Sequence, residues 1–574
     1  MAESYFKSLM YGDMLNSPGY DVEFAVGLTY SLDFEALISV PISFGMLGDS
    51  EDFVKQSPAC LLAAIRKSSD KIAVFCNPSS IKVPRDCRTV YSLLENSIFP
   101  VKQKGNFHPK LWAIQEVNKE GRRRIKLVVL SRNLTFDDSL DVVVTLTGDV
   151  TGSVRNKSKY MPAVNLLDWV AKFATPKKRE MVRRLCDNIC CVDKFVVDEP
   201  FDDYEFYAFN PAISGLMNQE DVYDEMQGRD MIVFSPFIDE KTLNWLFEKA
   251  NRKHLVTRRN NITQNVHDLM GLGNIFAVNE SLIDDEETKV DLHAKMYFVS
   301  KGGNNNLYLG SANATHSAFN RNTELLLRLH YIPYKASFDK FKETMLGEEE
   351  NQYVPVDTIF ADDCTRVLTE EEIAFGEAIR NIDHAKVVKT GEQYDTIVYF
   401  KKCGWNVDVS ISPLQGPANK PSVEISAETK ISGMLLKDLS EFYILTAGKD
   451  PKTQQRSVVK IRTEGIPEER DNAIFQSIVD TENKFINYVS ILLSDHPQET
   501  LFNEKEQERL LGKTVLGKGS SATNSLYEEM LNTVSDDPDR LDIIKQDLDK
   551  FGDKVPESFK TMLEVFLEAR KYVR

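Results

Sequence analysis

Hydrophobic and polar positions along the chain follow two textures. Up to about residue 345, short runs of β-branched and aromatic residues alternate with segments of helical spacing. Val22–Leu28 reads as a strand, and Ser31-Leu-Asp33 opens a helix over Phe34–Ile38 with Asp33 near its N-cap. Pro58–Lys67 has helical spacing, and Lys71–Phe75 has the unbroken apolar run of a buried strand. Phe107–Gln115, Ile125–Leu130 and Asp141–Thr147 follow as strands, and a helical stretch at 161–190 closes this part. The order then recurs. Met231–Phe234 is a strand and Glu240–Ala250 an amphipathic helix. Leu255–Thr257, Ile275–Val278, Leu292–Val299, Asn306–Leu309 and Glu324–Leu329 complete the second set of strands. Alternating strands and helices predict an α/β fold with helices covering mixed sheets.

Beyond residue 350 the texture changes. Glu348–Asn351 and Thr369–Glu372 are charge runs that read as solvated turns or helix starts. Thr396–Arg462 reads as β, with Asn406–Ser412 alternating and Gly404, Pro413, Gly416, Pro417 and Pro421 punctuating it. Ala473–Leu493 has the spacing of an amphipathic helix, Leu516–Asn524 that of a flexible linker, and 525–572 that of an acidic helical tail. The expected units are 1–195 and 196–345 (two halves of similar design), 346–470 (a β-rich accessory domain) and 471–574 (an acidic helical region).

Composition narrows the classes. With 574 residues, 42% hydrophobic and 27% charged, the chain builds several cores and is not disordered overall. No apolar stretch approaches the roughly 20 residues of a membrane span. No basic-then-apolar leader opens the sequence, and the eight cysteines show no Cys-x-x-Cys spacing; Cys190-Cys191 read as core thiols. A cytoplasmic, reducing location is the expectation. The net charge of -17 sits mostly at the back: residues 1–340 hold 41 basic and 44 acidic residues, 341–574 hold 29 and 43. The front is nearly balanced, so a local basic groove there is compatible with an acidic chain.

Three of the eight histidines have a lysine two residues on: His108-Pro-Lys110, His293-Ala-Lys295 and His384-Ala-Lys386. The first two share their context. Each opens an apolar strand, where residues i and i+2 project to one face. Each is followed by a second apolar strand ending in Ser-x-Asn, Ser131-Arg-Asn133 and Ser311-Ala-Asn313. Each then reaches an acidic residue opening a further strand: Asp141, and Glu324 within Asn322-Thr-Glu324. His384 has none of this context and reads as a surface histidine.

A phosphodiester repels nucleophiles with its own negative charge. Two lysines and two asparagines converging on it neutralise and hydrogen-bond its oxygens. One imidazole then attacks phosphorus while the other protonates the leaving oxygen. This chemistry calls for no metal or cofactor, and none is expected.

The doubled pattern resembles the phospholipase D superfamily, whose motif is His-x-Lys-x4-Asp followed by Gly-Ser-x-Asn. The second copy is close, with Gly310-Ser311-Ala-Asn313. The first is looser. The family aspartate falls on Gln115 and Ser300, and this His-Lys-Asn form is similar to the tyrosyl-DNA phosphodiesterase branch and to bacterial nuclease-like relatives. The resemblance covers about residues 20–345. It implies two pseudo-symmetric α/β/α halves with the site at their seam, followed by a C-terminal β-rich and helical region. It also implies catalysis by His108, Lys110, Asn133, His293, Lys295 and Asn313, with His108 as nucleophile and His293 as acid/base. Asp141 and Glu324 would orient the imidazoles, with Ser131, Ser311 and Asn322 beside them. The function implied is a nuclease, relatives of this form occurring in bacterial anti-phage defence. The alternatives are a nucleic-acid-binding subunit of a larger complex and a phosphodiesterase for DNA adducts or phospholipid.

Nucleic acid, DNA ahead of RNA, is the expected partner. Lys102, Lys104, Arg122, Arg123, Arg124 and Arg132 are candidates to line its path, with Lys177–Arg179, Arg183-Arg184 and Arg258-Arg259 adding positive charge. Phe107, Trp112, Phe136 and Tyr160 are candidate stacking rings. The acidic C-terminal region is the expected contact for a protein partner.

Overall fold

The computed structural model describes residues 17–41, 69–85, 89–135, 139–152, 155–279, 291–347, 352–360, 368–415, 422–480 and 557–573, with single positions between them. The expected 516–524 linker, the 348–351 charge run, Phe136, and most of the expected Pro58–Lys67 helix, of 481–493 and of 525–556 lie outside the described residues.

The first half is built on β1 (Tyr20–Thr29), β2 (Ile72–Cys76), β3 (Ile98–Pro100), β4 (Leu111–Asn118), β5 (Arg123–Leu130), the short β6 (Ser139–Leu140) and β7 (Val143–Asp149). The second uses β8 (Phe201–Phe209), β9 (Asp230–Phe234), β10 (Arg252–Val256), β11 (Ile275–Val278), the short β12 (Asp291–Leu292), β13 (Met296–Lys301), β14 (Asn304–Gly310), β15 (Glu324–Tyr331) and β16 (Tyr353–Pro355). The first sheet has the order β3-β2-β1-β4-β5-β7. The second contains β11-β10-β9-β13-β14-β15, flanked by β16 and β8. In both, the first three strands run parallel and the next three pair antiparallel. The halves therefore share one topology and one connectivity.

The strand faces explain the layering. Ile125, Leu127 and Val129 of β5 and Leu325, Leu327 and Leu329 of β15 sit at every second position and enter one common core. Helices Lys157–Ala171 and Pro176–Cys190 close that core. Burying each such side chain is worth about 1.5–3 kcal/mol, so the two halves hold each other in place. The outer face of the second sheet packs under helices Glu240–Phe247 and Gln264–Met270, each started by an Asp239 or Thr263 side-chain cap.

The sequence reading missed β8, whose Phe-Asp-Asp-Tyr-Glu-Phe-Tyr-Ala-Phe run mixes charges into an edge strand. Cys190 and Cys191 are half-buried rather than core residues. The predicted helix 473–493 is broken: Arg470–Ile478 is helical, and Val479 turns out of it at ψ 77° after its N–H takes the last bond to Phe475.

The C-terminal part forms two four-stranded sheets around one apolar core, capped by helix Glu370–Asn381. It docks on the first half. Val458 N–H and Ser457 Oγ both donate to the Ile81 carbonyl, at 2.9 and 2.7 Å. The helix Glu557–Val573 buries Phe559, Leu563 and Phe566 in the outer core of the first half, so this helix packs on its own chain. Among the described residues no helix is long and apolar enough to cross a membrane.

One ion pair anchors the docking. Glu95 accepts from Arg470 at 2.7 Å, from Ser440 Oγ at 2.8 Å and from Glu441 N–H at 2.8 Å. Lys460 donates to the Glu95 and Ile98 carbonyls. Glu95 and Arg470 are both buried. Removing one partner of a buried pair leaves the other charge uncompensated. Arg470→Met should therefore lower stability by about 3–5 kcal/mol in denaturant titration, and adding Glu95→Gln should recover part of it. A neutral Arg470→Met would show that the pair carries no such weight.

Candidate phosphoryl-transfer site

The two His-x-Lys segments do not lie within their strands. The predicted continuous strands Phe107–Gln115 and Leu292–Val299 are each interrupted. β4 begins at Leu111 and β13 at Met296, and the residues just before them cross to the other half. Phe107 bridges Thr323, and the His108 N–H donates to the Thr323 carbonyl at 3.0 Å. Symmetrically, β12 pairs parallel with β6, and the N–H groups of His293 and Ala294 donate to the Leu140 carbonyl at 3.1 and 2.8 Å. Gly105 makes the first crossing possible: φ is +75°, and a Cβ there would sit 2.1 Å from the Arg321 carbonyl oxygen.

These crossings place each histidine against the acid of the opposite half. His108 Nδ1 lies 2.9 Å from Glu324 Oε2, and His293 Nδ1 lies 3.1 Å from Asp141 Oδ1. Each carboxylate is held by matching partners. Ser131 Oγ donates to Asp141 Oδ1 at 2.8 Å and Ser139 Oγ to Asp141 Oδ2 at 2.7 Å. Ser311 Oγ donates to Glu324 Oε2, and Asn322 Nδ2 to Glu324 Oε1 at 3.1 Å. The two serine hydroxyls in turn accept from Val142 N–H at 3.0 Å and Leu325 N–H at 2.9 Å. With Nδ1 committed to a carboxylate, each imidazole keeps Nε2 for chemistry.

Both lysines are 1% exposed. Lys110 Nζ donates to the His108 carbonyl at 3.0 Å and Lys295 Nζ to the His293 carbonyl at 2.7 Å. Burial pushes Lys295 down to about 8, and Asp141 and Glu324 only partly offset it. Burial, followed by the charge of Lys295, pushes Lys110 well below its ordinary value. Burial likewise pushes His108 and His293 down to about 4, against the pull of their carboxylates. Burial works to raise Glu324, but the facing His108 and Lys110 outweigh it and hold it below the usual glutamate range. Asp141 is held down in the same way by His293 and the two serines. Two lysines and two neutral imidazoles thus share a space shielded from water with two carboxylates. An entering phosphate anion would favour the charged form of each base.

Asn133 and Asn313 stand two residues beyond the serines, but they differ. Asn133 Oδ1 accepts from Ser31 N–H at 3.4 Å. Asn313 Oδ1 is buried without a hydrogen-bond partner. Gln115, at the family's aspartate position, instead binds Glu23 at 2.7 Å on the sheet. Among the described residues no cluster of three or more His, Cys, Asp or Glu is placed to hold a metal. His384 is half-buried on the C-terminal sheets, paired with Asp383 and stacked on Tyr399.

The proposed basic path is redistributed. Arg122, Arg123 and Arg124 lie at the far end of β5 from Ser131, roughly 25 Å away at about 3.3 Å per residue. There Arg123 pairs with Glu23 at 2.8 Å, and Arg124 pairs with Glu116 at 2.6 Å and covers Tyr20, so the triplet does not line the site. Phe107, Trp112 and Tyr160 are core residues, not stacking surfaces. Lys102 and Lys104 are both exposed; Lys102 faces the C-terminal sheets, where partial desolvation and then the charge of Lys401 lower its pKa although its surface remains open to water. Arg132 lies between Ser131 and Asn133 and reaches the Thr135 carbonyl at 3.4 Å.

Two contributors were missed. Ser139 stands two residues before Asp141, as Asn322 does before Glu324, and that spacing was available in the sequence. Tyr30 lies edge-on to His108 with ring centroids 5.1 Å apart, and no local pattern signals it.

No protein-family model matches the sequence, and no curated protein matches it. Solved structures that align with the chain include yeast tyrosyl-DNA phosphodiesterase, over 58% of this chain and 89% of that one, at 9% identity and a TM-score of 0.34. Phosphatidylserine synthase from Haemophilus influenzae aligns over 62% and 89%, at 10% identity and a TM-score of 0.32. Polyphosphate kinase from Porphyromonas gingivalis aligns over 60% and 46%, at 12% identity and a TM-score of 0.32.

The lowered imidazole values have a consequence for stability. Between the unperturbed 6.5 and about 4, the unfolded chain binds protons that the folded one refuses. Stability should be fully present above pH 6.5 and fall as pH drops to about 4. A His108→Asn/His293→Asn variant should show a shallower fall, by up to about 1.4 kcal/mol per pH unit for each histidine. Buried His254, also lowered to about 4, contributes equally to both proteins. Denaturant midpoints measured across this range check it; parallel slopes would contradict the buried neutral imidazoles.

Proposed function

We propose that the chain is a metal-independent phosphodiesterase, with nucleic acid as its substrate, working through a covalent phosphohistidine. The observation that carries this reading is the reciprocal pairing of His108 with Glu324 and His293 with Asp141 across one seam. A structural histidine has no need of a carboxylate delivered by the other half, nor of a second copy wired the same way.

The phosphoryl group enters between the two Nε2 atoms. Lys110, Lys295 and the Asn133 and Asn313 amides hold its non-bridging oxygens, which offsets the charge that repels a nucleophile. Its negative charge also raises the neighbouring histidine, so the acid becomes protonated when substrate is bound. His108 Nε2 donates its lone pair to phosphorus, forming the N–P bond as the P–O bond to the leaving group breaks. His293 gives its Nε2 proton to the leaving oxygen. It then takes a proton from water, whose oxygen attacks phosphorus and breaks the N–P bond. Nucleophile and acid are returned to their starting states, with one water consumed. Glu324 and Asp141 hold the Nδ1–H tautomers throughout and stabilise the imidazolium when it forms.

In excess EDTA, the full-length protein should cleave a labelled oligonucleotide, and His108→Ala and His293→Ala should each lose about 100- to 10,000-fold. With a good leaving group, His293→Ala should accumulate a base-stable phosphoramidate on His108, located by mass spectrometry of peptides. An adduct on His293 in the His108→Ala protein would exchange the two roles. Cleavage indifferent to both substitutions would overturn the site.

A further inference from the structure

Two aromatic rings on the second half are left half in solvent, each beside an arginine. Phe237 and Phe360 are both 46% exposed. The Arg258 guanidinium lies 4.4 Å from the Phe237 centroid, and that of Arg259 lies 5.6 Å from the Phe360 centroid. A single exposed ring is ordinary. Two, capped by consecutive arginines, are a pattern.

The Phe237–Arg258 pair is wired to the phosphoryl site. Ser235, at the end of β9, donates to the Phe237 carbonyl at 2.6 Å and accepts from the Ala314 N–H at 2.9 Å, one residue past Asn313. Arg258 grips Asp291 through Nε at 2.9 Å and Nη2 at 2.6 Å, two residues before His293, and its charge reaches Lys295. Phe360 donates its N–H to the Ile262 carbonyl at 3.0 Å, so the second pair continues along the same 258–262 segment. The Asn313 side-chain oxygen Oδ1, buried without a partner, belongs to the residue just before Ala314.

A polymer with alternating phosphates and flat rings matches such a surface. Arginine attracts the backbone, and an aromatic face accepts any unpaired base. Paired bases in a duplex offer no free face to it. We propose that Phe237–Arg258 and Phe360–Arg259 form a stacking track that receives the bases of a single-stranded nucleic acid leading away from the scissile phosphate. This rests on the phosphodiesterase reading of the site.

The test uses the full chain and two substrates, a single-stranded oligonucleotide and bis(4-nitrophenyl) phosphate, which is too small to reach the track. Phe237→Ala and Phe360→Ala should each lower kcat/KM on the oligonucleotide, Phe237→Ala by about ten-fold or more, and leave the small diester unchanged. Phe237→Trp should restore the loss, and a matched duplex should be the poorer substrate for wild type. Equal cleavage of the oligonucleotide by wild type and both alanine variants would overturn the track. So would equal losses on both substrates, since the rings would then serve the site's structure. If wild type cleaves the small diester and no nucleic acid, the track fails while the phosphodiesterase stands. If it cleaves neither, the phosphodiesterase reading fails, and fluorescence anisotropy of the oligonucleotide decides the track. Weaker binding by the double alanine variant supports it, and equal binding overturns it.

Discussion

The architecture turns on an exchange of support across the seam. Neither histidine is oriented by its own half. His108 leans on Glu324 and His293 on Asp141, and each acid is fixed by a serine and a second polar side chain from its own half. The crossing is enforced by backbone pairing, Phe107 with Thr323 and β12 with β6, before any side chain is considered. Rigid placement of a buried polar network needs every member satisfied. Here the shared core between the two sheets fixes the distance at which that happens.

Much of this was legible in the residues. The doubled order of strands predicted two similar α/β halves, and both sheets have the same six-strand order. The recurrence of His-x-Lys, Ser-x-Asn and an acid singled out the residues that the structure brings together. What the sequence does not carry is long-range register. A run such as Leu292–Val299 looks like one strand because period-two alternation says nothing about which sheet a backbone group joins. The break at His293–Lys295 comes from a partner about 150 residues away. The same limit hid the reciprocal wiring and Tyr30.

Charge was read least well, for a physical reason. Clustered basic residues look alike in sequence whether they face a ligand or a carboxylate. Arg122–Arg124 proved to be a hairpin end far from the site, paired with Glu120, Glu23 and Glu116, whereas Arg258, itself paired with Asp291, stands at the site's edge because Asp291 lies two residues before His293. Among the described residues of the C-terminal tail, Phe559, Leu563 and Phe566 pack into the first half.

Two identical subunits meeting at such a seam would be compelled to present two identical sites. A single chain is free of that obligation, and this one has used the freedom. Aspartate stands where its counterpart is glutamate, Ser139 where the counterpart is Asn322, and Asn133 is tethered where Asn313 is not. Tyr30 presses on one imidazole, while the corresponding place in the other half holds Pro236. Attack and protonation are unlike tasks, and a perfectly symmetric pair of histidines would perform them interchangeably. Joining the halves in one polypeptide gives the substrate a direction.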